Sequence, residues 1–228
     1  MEHNHNHNHN HNQDMLGDDH VGTNMETPLR PDAFQMDSEL KIELIAKHFT
    51  EIMHILGLDL SDESLKGTPL RVAKMFVNEQ FKGLDPDNRP HPTLFENCFK
   101  YKEMLVEKGI HFFSTCEHHF VPIMGRAHLA YVSSGKVIGL SKLNRIVDYY
   151  AKRPQVQERM TMQIANELME VLETPDVAVI IDARHLCVAS RGIKDISSAT
   201  VTSSYHGKFN DPKVREELLQ YIEMNGSE

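Results

Sequence analysis

The chain has no tryptophan, few aromatic residues and only three cysteines in 228 residues. Three cysteines cannot build a disulfide framework, and an odd number suits a reducing compartment or a metal site. No uninterrupted apolar run approaches the ~18 residues that a membrane span needs. Positive charge is also short: 24 Lys+Arg stand against 33 Asp+Glu, a formal net charge of −9. That balance argues against general nucleic-acid binding, and it requires any anionic ligand to be met by a local group of cations. Apolar residues make up 40% of the chain and are spread along it, which excludes global disorder. The length suits one domain, or one with an appended piece. Composition thus describes a cytoplasmic-type globular protein with no membrane or nucleic-acid partner.

His3, His5, His7, His9 and His11 alternate with asparagines and offer no apolar face. Residues 1–24 read as a purification tag and linker, outside the fold. Removing the five tag histidines leaves ten, so the body of the chain is not histidine-rich. Residues 25–36, with Pro28 and Pro31, read as a leader.

Residues 37–92 form a helical N-terminal part. Asp37 is placed to cap a helix with Ile45, Phe49, Ile52, Met53 and Leu56 on one face, ended by Gly57. Thr68-Pro69 has the N-cap and first-turn chemistry of a second helix that stops near Gly83. Residues 93–228 change texture. Ile110–Ser114 and Phe120–Val132 read as strands on either side of a charged turn. A short helix is expected from Ser141 to Tyr150, and a longer one from Pro154 with Val156, Met160, Ile164 and Leu168 four apart. Val177–Ile181, Leu186–Ser190 and Ala199–Tyr205 read as strands, and Pro212–Met224 as a final amphipathic helix. The fold class is α+β, an antiparallel sheet backed by helices.

Cys116-Glu117-His118-His119 is the most reactive-looking tetrapeptide. Its cysteine and second histidine, three apart across a turn, can converge on one ion. His185 and Cys187, two apart in a segment read as strand, share one sheet face. Cys116, His119 and Cys187 are a thiolate-rich set suited to Zn2+, and three ligands leave the fourth position that catalytic zinc keeps open. The alternative is two inert buried cysteines with surface histidines. His118 and His185 then stand beside the ion, for proton transfer or for orienting its ligands. Ser141, Lys142 and Arg145 follow Gly139 at a helix start, a plausible place for phosphate, and Arg191 lies four residues after Cys187. Gln157-Glu158 opens a helix, where a carboxylate either complements the helix end or pairs with two N–H donors such as a guanine edge offers.

Together these segments resemble GTP cyclohydrolase I. The residues that carry the likeness are Cys116–Val121, Val137–Lys142 with Asn144–Ile146, Arg153–Arg159, His185 with Cys187, and Arg191–Ile193. The likeness spans roughly Ser38 to Phe209 and leaves the residues before Asp37 without a counterpart. It implies zinc on Cys116, His119 and Cys187, with His185 and His118 as catalytic histidines. It implies guanine recognition by Glu158 with Gln157, and ribose-triphosphate contacts from Ser141, Lys142, Arg145 and Arg191. Leu186 stands where the family leads one to expect an aromatic, and on a strand it would point away from His185 and Cys187. The implied fold is the tunnelling fold, assembled as a toroidal homodecamer of two pentamers with sites between subunits. The implied reaction is zinc-dependent hydrolysis of GTP to 7,8-dihydroneopterin triphosphate and formate, the entry to pterin and folate synthesis. Two other enzyme classes fit less well. A nucleobase deaminase needs H-x-E with P-C-x-x-C, and this chain has no C-x-x-C. A nitrile-reducing relative of the same fold would use a nucleophilic cysteine and NADPH in place of zinc. A non-enzymatic regulatory protein would have no need for ligands, proton donor and substrate contacts together.

Overall fold

The computed structural model describes residues 24–224; the tag histidines lie outside them. Helix α1 spans Ser38–Ile55, and the Asp37 carboxylate accepts from the Leu40 N–H at 2.8 Å, as its cap position requires. The chain leaves α1 through Gly57 at φ 80°. Of the expected buried face of α1, Met53 is enclosed, whereas Ile52 and Leu56 are 48% and 70% exposed. The reason is that α1 packs chiefly on one short helix, α2 (Thr68–Met75), which cannot cover the whole stripe. Gly67, not Thr68, is the N-cap of α2, and the Thr68 hydroxyl instead accepts from the Arg71 guanidinium at 2.8 Å. α2 widens into a π turn over Phe76–Gln80.

Strand β1 (Leu94–Glu96) is followed by β2 (Met104–Cys116) and β3 (Pro122–Val132). β2 starts well before the expected Ile110, because a bulge between Glu107 and Ile110, at Gly109 with φ 75°, breaks the alternation that marks a strand. β4 (Lys136–Ile138) pairs with β1 in a small second sheet. Helix α3 occupies Leu140–Ala151. Pro154 does not open the next helix. It lies in β5 (Pro154–Gln155), which runs parallel to the end of β2, with Thr115 opposite Pro154 and Cys116 opposite Gln155. A proline without an N–H is as admissible at an outer strand as at a helix start, so the residue alone does not distinguish them. Helix α4 is Gln157–Leu172 and stops at Glu173, φ 52°. Then come β6 (Val177–His185), a single helical turn α5 (Leu186–Ala189), β7 (Thr200–Tyr205) and helix α6 (Pro212–Glu223).

The main sheet has the order β5-β2-β3-β6-β7 and is antiparallel except for β5. α3 and α4 cover one face: Leu143, Ile146, Met160, Ile164 and Leu168 are enclosed with Ile110, Phe112, Leu129, Val179 and Ile181. Phe209 and Leu218 of the C-terminal segment close one corner of the other face over Met104, Ala130 and Ile180. Phe113 and Met124 on that face remain exposed. The architecture is α+β. The helical N-terminal part is fastened to α3 at Gly83. Its N–H donates to the Lys152 carbonyl at 2.9 Å, and its carbonyl accepts from Arg153 Nε at 2.7 Å. The Arg153 guanidinium lies over the Tyr149 and Tyr150 rings, 4.5 and 4.6 Å from their centroids. Among the described residues no helix is long and apolar enough to cross a membrane.

Candidate metal centre and active site

β3 lies between β2 and β6, and both neighbours end where β3 begins: Thr115 pairs with Pro122, and Ile123 with His185. The turn after β2 is pinned by Cys116 N–H to Val121 O and Phe120 N–H to Cys116 O, each 2.9 Å. Phe120 adopts φ 54° within it. The strand expected over Leu186–Ser190 is instead the turn α5, closed by Ser190 N–H to Leu186 O at 2.8 Å. His185 and Cys187 therefore do not share a sheet face, contrary to expectation. The chain leaves the ladder at His185, and the helical turn is what carries Cys187 toward β2. Leu186 is the first residue of that turn and half-buried, not an outward strand residue.

One ligand atom each from Cys116, His119 and Cys187 lies within 4.8 Å of the others. Burial, and then the adjacent Cys116 thiol, push the Cys187 thiol above its ordinary pKa. A divalent cation among the three groups would offset both effects, and two sulfurs with one imidazole suit a soft ion. The residues present fit a metal. His118 Nδ1 is 3.8 Å from Cys116 Sγ, and its Nε2 is 3.7 Å from a Glu117 carboxylate oxygen. That carboxylate is gripped by the buried Arg159 guanidinium through both terminal nitrogens. Arg191 Nη1 reaches His119 Nε2 at 2.7 Å.

His185 Nε2 lies 2.7 Å from Gln157 Oε1. Burial lowers the His185 pKa, and the negative charge of Glu158 opposes that shift. Glu158 is exposed in the first turn of α4 and lines, with Cys116, His118, Gln157, His185 and Cys187, a cavity of 590 Å³. Asn24 and Met25 line it too. Arg159 Nε donates to Asn24 O at 2.9 Å and Gln163 Nε2 to Met25 O at 3.1 Å, so the start of the leader is held there and Asn24 belongs to the fold, not to a tag and linker outside it.

Ser141, Lys142 and Arg145 sit on the first turns of α3, away from this group. Lys142 and Arg145 line a separate cavity of 350 Å³ with Lys82 and His91, and no residue lines both cavities. A single chain thus brings Cys116, His118, His119, Gln157, Glu158, His185, Cys187 and Arg191 together and leaves the α3 cations apart. The sequence reading missed the Glu117–Arg159 pair, the docked leader, and two threonines beside Gln157: the Thr161 hydroxyl donates to its main-chain carbonyl at 2.8 Å, and the Thr202 hydroxyl accepts from its amide at 3.1 Å. Thr161, four residues after Gln157 on the same helix, could have been found by helical spacing. Nothing local marks Thr202.

The sequence pattern that describes GTP cyclohydrolase I matches residues 45–223. A protein named GTP cyclohydrolase 1 from Flavobacterium johnsoniae is 61% identical over 212 residues, covering 93% of this chain and 95% of its own. Proteins of the same name from Citrobacter koseri and Salmonella arizonae are each 52% identical, over 203 and 209 residues. These matches cover 89% and 91% of this chain, and 91% and 94% of theirs. The 212 matched residues of the first exceed the stretch from Asp37 to the C-terminus, so the leader does have a counterpart, contrary to the expectation above. A solved archaeosine synthase QueF-Like overlaps 52% of this chain and 97% of its own at 16% identity, with a TM-score of 0.37, too partial to define the fold. With most of its length matched by that pattern and by these relatives, the chain belongs to the GTP cyclohydrolase I family.

Proposed function

We propose that the chain hydrolyses GTP to 7,8-dihydroneopterin triphosphate and formate, with Zn2+ as cofactor, in the cytoplasm. The observation that carries this reading is the meeting, at one cavity, of the Cys116–His119–Cys187 group with His185 and Glu158. Cys116, His119 and Cys187 would hold the ion, which supplies Lewis acidity that makes water a competent nucleophile near neutral pH. Glu158 accepts two N–H donors of the guanine edge and so sets the ring against the ion. His185, whose pKa burial lowers, takes a proton from the attacking water and delivers it to the ring nitrogen as the C8–N bond opens. His118, between Cys116 and Glu117, is the second histidine of the site. Arg191 beside His119, with Ser141, Lys142 and Arg145, meets the ribose triphosphate.

Because the α3 cations open into a different cavity of the same chain, the complete site takes them from a neighbouring copy. The tunnelling fold and a homodecamer of two pentamers supply that neighbour. The uncovered sheet face with Phe113 and Met124, and edge strand β7 with Val201 65% exposed, support such joining. Metal-replete protein incubated with GTP is expected to release formate and to develop a pterin near-UV absorbance. No formate from metal-replete protein rejects the reading. Light scattering of the active sample is expected to show many protomers per particle, and a fully active monomer rejects the shared site.

A further inference from the structure

We infer that Gln157 is a positioning residue that fixes the tautomer of His185, leaving Nδ1 as the ring atom that exchanges a proton with the substrate. The inference rests on the reading of His185 given above and deepens it. Gln157 is 1% exposed. Its amide nitrogen faces the Ile181 carbonyl at 3.1 Å, the Thr200 carbonyl at 2.8 Å and the Thr202 hydroxyl at 3.1 Å. A carbonyl oxygen only accepts, so the amide atom facing both carbonyls is the NH2 group. The reverse orientation would set oxygen against oxygen in a buried place. Oε1 is therefore the atom 2.7 Å from His185 Nε2, and because it too only accepts, Nε2 carries the hydrogen.

The neighbours hold this arrangement in a closed ring. The Thr161 hydroxyl lies 2.8 Å from the Gln157 main-chain carbonyl and must donate to it. The 2.6 Å contact between the two threonine hydroxyls then runs from Thr202 to Thr161, which leaves Thr202 free to accept from the Gln157 amide. Every donor in the ring has an acceptor in one direction only. Neutral His185 thus has its lone pair on Nδ1. With its oxygen on His185 and both N–H bonds on protein oxygens, Gln157 acts through the imidazole and not on the purine.

The test uses histidine-labelled full-length protein and 15N spectra at alkaline pH, the His185 signals being assigned by their loss in His185→Ala. The wild type is expected to show His185 protonated at Nε2 with slow solvent exchange of that hydrogen. A wild-type His185 protonated at Nδ1 overturns the inference, whatever any variant does. Gln157→Met is expected to keep zinc and GTP affinity, to lose the slow-exchanging hydrogen and to lower kcat by ~10- to ~10²-fold at unchanged KM. A Gln157→Met protein that loses GTP affinity while keeping kcat places Gln157 on the substrate and overturns the inference. A wild type that releases no formate from GTP instead overturns the underlying reading.

Discussion

Cys187→Ala is expected to purify almost free of metal, whereas His185→Ala is expected to keep its zinc and lose its turnover. The two residues are neighbours but end different elements: His185 is the last residue of β6, and Cys187 belongs to the turn α5. Cys187 supplies one of the three strong ligands that converge among the described residues, so its loss leaves Cys116 and His119 with too few protein donors for tight binding. His185 contributes no atom to that group. Its Nε2 faces Gln157 Oε1, and the groups proposed to hold GTP, Glu158 and the cations, are other side chains. Its removal should cost the ~10²–10⁴-fold of a general acid–base group, or about 3–5 kcal/mol of barrier. Metal analysis by mass spectrometry beside steady-state formate release separates the roles. Loss of zinc from His185→Ala makes it a ligand, and near-normal turnover in that variant transfers the proton-transfer role to His118.

Gly83→Ala is expected to destabilise the protein by about 2–3 kcal/mol, although the residue has no side chain to contribute to the site. A Cβ there would stand 2.0 Å from the Tyr149 carbonyl oxygen and 2.9 Å from that of Lys152. Both obstacles are main chain at the C-terminal end of α3, and neither can rotate away as a side-chain tip could. The displaced strap would also strain the Arg153–Gly83 hydrogen bond and the stacking of Arg153 on its two tyrosines. Gly139→Ala is the matched control, since its Cβ would meet nothing nearer than 3.8 Å. Denaturant midpoints should differ clearly between the two variants, with Gly139→Ala within about 1 kcal/mol of wild type. A Gly83→Ala midpoint equal to that of the control would rule out the close approach.

What could be read from the sequence was whatever its own neighbours decide. Asp37 caps α1 through a bond to a residue three positions on, and the four-residue spacing of Met160, Ile164 and Leu168 survives as the buried stripe of α4. The metal group was legible for a different reason: thiols and imidazole at a turn are rare enough that residue type alone narrows the chemistry. Pro154 and Leu186–Ser190 were misread because their local preferences are satisfied equally by two conformations. For Pro154 the choice is made by pairing with the end of β2, distant in sequence. The inward direction of Gln157 was illegible in the same way, since Ile181, Thr200 and Thr202 come from strands that follow it.

The two-residue strand β5 ties the Cys116–His119–Cys187 group mechanically to the first turn of α4. Cys116 is paired with Gln155, and the Glu117 N–H donates to the Gln155 carbonyl at 3.1 Å, just ahead of Gln157 and Glu158. An ion bound as proposed at the end of β2 would also stiffen the start of α4, and a purine held as proposed by Glu158 would act back along the same rung. Thermodynamic reciprocity then applies. The factor by which Zn2+ tightens GTP on His185→Ala protein must equal the factor by which GTP tightens Zn2+. Couplings of this kind are ~5- to ~150-fold, or about 1–3 kcal/mol. GTP titrations of the zinc-loaded and zinc-stripped variant would give the first factor, and a value of one would mean that the rung transmits nothing. Where the coupling holds, a shortage of zinc weakens the hold on GTP as well as the chemistry, and abundant GTP protects the enzyme against losing its metal.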